Sequence, residues 1–158
     1  MAHAGSYSIG PQFVTLMANQ TISTAPGKNP PLTSRGETEH HIAVSRSGKD
    51  LTLVFSKGTG TVQLFEQAGS GAGEVFKLDA GMLALVDDYF ILVHENENGV
   101  NTGYGKYEKQ GDSINLDIKR WTNADQSAAS NAYDTSIKAT FDGQSLSLED
   151  GQSFQISP

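Results

Sequence analysis

The 158-residue chain contains no cysteine. A disulfide framework, thiolate catalysis and a zinc–thiolate centre are therefore excluded, and a cytoplasmic home fits this usage. Basic residues are few: 11 Lys and Arg stand against 18 Asp and Glu, a formal charge of −7. A polyanionic partner, whose affinity rests on phosphate neutralisation, would be repelled, so no nucleic-acid partner is expected. No run approaches ~18 apolar residues, and the opening MAHAGSYSIG lacks the basic start and long apolar stretch of a secretion signal. We expect a soluble protein with no membrane partner. Asn19-Gln20-Thr21 fits a glycosylation acceptor, but without a secretion signal it reads as a chance match.

Helical periodicity is also scarce. Short alternating or apolar runs recur instead about every ten residues, each closed by Gly, Asp, Asn or Ser, the rhythm of an antiparallel sandwich or barrel. Strands are expected at 12–18, 39–46, 51–57, 61–67, 74–78, 82–86, 89–95, 102–109, 113–121, 133–141, 144–149 and 153–157. Tight turns are expected at Ser47-Gly48-Lys49-Asp50, Lys57-Gly58-Thr59-Gly60, Gln110-Gly111-Asp112, Asp142-Gly143 and Asp150-Gly151, whose residues tolerate positive φ or bond locally. The prolines of 24–37 exclude a central strand and predict a long loop or lid; 122–131 reads as a loop or one weak helical turn.

Most strands are apolar on one face only, as in Ile114, Leu116 and Ile118 or Tyr133, Thr135, Ile137, Ala139 and Phe141. That suits a sheet curled around one interior. We expect an all-β fold, a single antiparallel up-and-down β-barrel spanning 1–158 with at most one short helix. Such a chain buries roughly 70% of the surface that its unfolded form exposes. Residues 82–95 depart from the pattern, being apolar on both faces. They are expected to be covered outside by a terminal segment or loop, or to form a homodimer contact.

The stretch GYGKYEKQGDSINLDIKRW followed by IKATFDGQSLSLED resembles the lipocalin-like domains of the calycin group, which show a Gly-x-Tyr strand, a Gly-Asp turn and an aromatic-Asp-Gly-x-x-Leu-x-Leu hairpin. Gly105, Tyr107, Gly111, Asp112, Phe141, Asp142, Gly143, Leu146 and Leu148 carry the resemblance, over about a third of the chain. It implies a ligand-holding barrel. The Gly-x-Trp opening strand of that group is missing, with Phe13 its nearest substitute. A barrel of the allene-oxide-cyclase type also fits the strand count, and implies cyclisation or isomerisation chemistry.

Several side chains are candidates for that chemistry. Arg120 ends the stripe Ile114, Leu116, Ile118; it is either a fork of donors for a ligand oxygen at the barrel mouth or a solvated strand end. Alternation places His40 inward with Ile42 and Val44; His94 follows Phe90 and Leu92 on one face and could project into the same cavity, but both faces of that strand are apolar, so alternation does not decide its facing. Each is either an acid–base group or a hydrogen-bonded core or rim histidine. Tyr107 and Tyr133 offer hydroxyls on apolar rings, as orienting groups do, or simply pack. Phe90 would line the same cavity.

In ETEHH, Glu37, Glu39 and His41 lie on one side of a strand and His40 on the other, so no metal site is expected. GSGAG (69–73) lacks the Lys-Ser/Thr of a phosphate loop and reads as a hairpin loop, and Asp87-Asp88 as a turn. The sequence thus points to a binder of a small hydrophobic ligand with an oxygen-rich end, using no cofactor. The alternative is a cofactor-free cyclase or isomerase with His40 or His94 as acid–base.

Overall fold

The computed structural model describes residues 2–23, 32–34, 38–55, 62–67, 69–97, 99–125 and 129–158, and every regular element among them is a β-strand. All strand pairs are antiparallel, because the turn chemistry makes nearly every connection a hairpin. Gly48, Gly111, Gly143 and Gly151 take the positive φ expected of them, and Asp87 (φ 50°) makes the Asp87-Asp88 turn. Residues 57–60 lie outside the described residues, as do most of 24–37.

Two sheets result. The first contains β1 (Ala2–Ile9), β2 (Val14–Ser23), β4 (Thr38–Ser47), β5 (Asp50–Phe55) and β6 (Val62–Glu66) in that order, with β3 (Leu32–Ser34) paired to the far end of β2. The second has eight strands: β7 (Gly73–Leu78), β8 (Gly81–Val86), β9 (Tyr89–Asn96), β10 (Gly99–Gln110), β11 (Ser113–Asp125), β12 (Ala129–Phe141), β13 (Ser145–Leu148) and β14 (Ser153–Gln155). This meander curls until its ends nearly close a barrel. Leu78 bridges Ile156, and the Ser157 N–H donates to the Lys77 carbonyl at 2.8 Å.

The expected up-and-down barrel is therefore present, built from residues 73–158, because eight strands suffice to enclose one layer of side chains. The N-terminal strands pair among themselves. Two of them, β1 and β3, escaped the sequence reading, and the described residues of 122–131 are strand rather than loop: β11 runs to Asp125 and β12 starts at Ala129. The connection between the sheets is pinned at both ends. Arg46 donates to Gln67 (2.6 Å), while Asp87 accepts from the Ser70 and Gly71 N–H groups at 3.1 and 3.0 Å.

Leu83, Leu85, Phe90, Leu92, Ile114, Leu116, Ile118, Trp121, Phe141, Leu146 and Phe154 are buried together inside the barrel. Each large side chain so buried contributes roughly 1.5–3 kcal/mol. The 82–95 pair is covered on its inner face and on part of its outer face. Ala84 and Val93 are buried outside, where β1 comes closest to β8, yet Tyr89 and Ile91 on the same outer face are 48% and 50% exposed. Cover from within the chain is therefore incomplete there.

One irregularity organises the wall. Between β10 and β11 the register shifts: Gly105 pairs with Ile118 but Tyr104 pairs with Arg120, leaving Lys119 as an extra residue. Such a bulge reverses the alternation beyond it. Ile118 faces inward, Lys119 and Arg120 face outward beside Tyr104, and Trp121 turns inward against Gly103. Gly105 is what lets the strands meet here, since a Cβ on it would collide with the Asp117 carbonyl and the Lys119 nitrogen. We predict that Gly105→Ala destabilises the barrel by about 1–3 kcal/mol, the usual cost of overpacking. Urea unfolding followed by Trp121 fluorescence measures it, and an unchanged midpoint would show that the bulge does not need glycine.

Candidate functional site

Cross-strand partners share a face, so the pairing defines horizontal rows inside the barrel. One row is Leu92, Gly103, Trp121 and Ala132 on β9, β10, β11 and β12; the next toward the β9–β10 turn is His94, Asn101, Asn123 and Ser130. The first row is an apolar floor, with the Trp121 ring filling the space that Gly103 leaves. The second replaces it with an imidazole, two carboxamides and a hydroxyl. Asn101 and Asn123 are half-buried, and Asn123 Oδ1 accepts the Trp121 indole N–H at 2.8 Å.

His94 is the most constrained member. It is 8% exposed, and its ring meets Phe154 edge-on at 5.2 Å, while Phe154 also lies 6.2 Å from Trp121. Its Nε2 lies 2.9 Å from Oδ1 of Asp79, the residue that opens the β7–β8 turn. That contact and the Ala80 N–H hold the Asp79 carboxyl below its ordinary value, so it is an acceptor at neutral pH. Nε2 therefore donates. In the neutral ring Nδ1 is left with a bare lone pair, and that atom is buried without a hydrogen-bond partner.

The other sequence candidates lie elsewhere. Arg120 was expected at the inner end of the Ile114–Ile118 stripe; the bulge turns it onto the outer wall beside Tyr104, so it does not face the interior. His40 stands in the first sheet, paired with Leu16 and edge-on to Phe55 at 6.3 Å, and so does not share a row with His94. Phe90 is a core residue beneath the floor. Tyr107 also faces inward, packed against the core, but six residues along β10 from Asn101, roughly 20 Å toward the opposite end. The backbone of Tyr133 pairs with Arg120, and its side chain lies outside the described residues.

His41 pairs with Glu39, Glu37 lies outside the described residues, and among those described no group of three or more His, Asp or Glu could hold a metal. Nor is any described helix long and apolar enough to cross a membrane. Sequence reading missed Asp79, Asn101, Asn123 and Trp121. Asp79 shows only as a turn residue, Asn101 precedes the strand expected at 102–109, and the facing of Trp121 and Asn123 depends on the bulge.

The depressed Asp79 carboxyl has a consequence for stability. A lowered folded value contributes stability that is complete above the ordinary value of 3.8 and is lost as pH falls through the folded one. Because the Asp79 side chain is 63% exposed, solvent screening limits the contribution to about 1 kcal/mol or less. Asp87 and Asp142, also lowered by hydrogen bonds, titrate in the same acid window. We predict that Asp79→Asn lowers the Tm at neutral pH and that the two melting curves converge toward pH 2; a gap constant with pH would contradict the pairing. Compared with family models, curated proteins and solved structures, the chain matches none.

Proposed function

We propose that this is a lipocalin-like, small-molecule-binding β-barrel protein whose ligand enters at the His94 end. The apolar body would rest on Trp121 and Phe154, and the oxygen-rich end would meet His94, Asn101 and Asn123. The observation that carries this reading is the partnerless Nδ1 of His94. A buried acceptor left unmade costs about 1–3 kcal/mol, so a ligand hydroxyl or N–H that fills it is strongly favoured over one that does not. The rest of the interior supports the placement, since Leu83, Leu92, Leu116 and Phe141 already fill it. The cysteine-free sequence supports a cytoplasmic location.

A second reading rests on the same pair. A carboxylate that accepts from one imidazole nitrogen orients the other as a general base, so Asp79 and His94 would serve a cofactor-free isomerase or cyclase that removes a proton from a bound substrate.

Native mass spectrometry of the purified protein, or a small-molecule screen, supplies the test ligand. We predict that His94→Leu weakens its binding by about 1–3 kcal/mol while thermal stability falls no further than in Asp79→Asn, because deleting the unsatisfied group offsets the lost pairing with Asp79. Unchanged affinity would move the site away from His94. For the second reading, His94→Gln should abolish turnover and leave binding nearly intact.

A further inference from the structure

On the outer wall the bulge opens a groove of about 500 Å³, within the range that holds a drug-sized ligand. Its lining includes the rings of Tyr89 and Tyr104, with Ile91 beside them on the same face. Tyr104, 51% exposed, pairs across the ladder with Ile91, itself 50% exposed, and Tyr89 lies one row away under the Lys106 ammonium, 5.1 Å from the ring centre. Three exposed apolar side chains side by side are costly to leave in water.

The polar rim is unusual in its balance. Lys106 pairs with Asp88 at 2.6 Å, Lys119 pairs with Asp134, and the Asp117 carboxylate accepts from the Ser136 hydroxyl. Among the residues that line the groove, two ammonium groups, Lys106 and Lys119, meet two carboxylates, Asp117 and Asp134. An anionic ligand would meet Asp117 and Asp134, and a cationic one Lys106 and Lys119, so neither sign is served. A neutral molecule with many hydroxyls is served by both, since each hydroxyl donates to a carboxylate and accepts from an ammonium. If that molecule also has an apolar face, it covers the exposed ring of Tyr104.

We infer that this groove binds a neutral saccharide, with a sugar ring stacked on Tyr104 and its hydroxyls bridging the Lys119–Asp134 and Asp117–Ser136 pairs. The site lies outside the barrel and does not depend on the His94 reading. Because the rim charges are already paired, they are held in place before the ligand arrives, which lowers the ordering cost of binding.

The test is titration of the ¹⁵N-labelled protein with cellohexaose, xylohexaose, maltohexaose and mannohexaose at millimolar concentration. At least one should shift the backbone amides of Tyr104–Lys106 and Asp117–Lys119. Tyr104→Ala should weaken that sugar by at least about fivefold, the worth of an aromatic contact, while His94→Leu leaves it unchanged. Tyr104 is exposed, and the variant's own spectrum reports whether it is folded. Three results would overturn the proposal. One is no shift in these amides with any of the sugars, and another is a preference for benzoate over every sugar. The third is self-association that Tyr104→Ala abolishes while sugars do nothing, which would make the patch a contact between copies.

Discussion

The close approach of β10 and β11 at Gly105 is the constraint on which the two candidate sites depend. A regular ladder would continue the inward stripe Ile114, Leu116, Ile118 through Arg120 and put Trp121 in solvent. Guanidinium burial costs several kcal/mol, and an exposed indole forfeits roughly 1.5–3 kcal/mol. The extra residue at Lys119 reverses both outcomes at once. It is possible only because no side chain on Gly105 blocks the Asp117 carbonyl, and Trp121 fits only because Gly103 has none either. Both glycines weaken the strand in isolation; together they let one indole close the interior.

Inside and outside are then complementary results of one defect. Inward, Trp121 becomes the floor above which the lining turns polar, and its indole N–H fixes the Asn123 carboxamide. Outward, Lys119 and Arg120 emerge next to Tyr104, and Lys119 meets Asp134, which takes φ 46°. A left-handed aspartate in mid-strand is strained, and the ion pair is one of the contacts that offset it. Strain is thus concentrated where the wall is least regular, and the same stretch of wall carries the groove.

The strand pattern was legible because it rests on local chemistry. Alternation and turn residues located twelve of the strands, with Gly111, Gly143 and Gly151 marking hairpins at the places their φ values require. The partition into two sheets was not legible, since the alternation in Ile42 and Val44 looks the same whether the strand closes a barrel or joins a separate sheet. Strand β1 was missed because AHAGSYSI has small residues where a period-two apolar signal should be. Arg120 was misplaced for a different reason. Alternation propagates a facing from residue to residue, and a single unpaired residue inverts every assignment after it. Nothing in KRW announces the inversion, although the glycine pair 103 and 105 opposite it is the feature that permits one.

Alternation grouped His94 with Phe90 and Leu92 without deciding which face is inward, and the grouping holds because β9 pairs with β8 and β10 without a shift across its whole length. What alternation could not supply was its partner. Asp79 lies 15 residues away on the β7–β8 turn, and only the hairpin folding back between β8 and β9 sets Gly81 opposite His94 and brings the carboxylate to the ring. A Cβ on Gly81 would collide with the Val93 carbonyl, so the absence of a side chain at the start of β8 is what allows the turn to sit this close. The contact follows from that placement: the ionised Asp79 carboxylate makes Nε2 the donor, and Nδ1 is left buried without a hydrogen-bond partner.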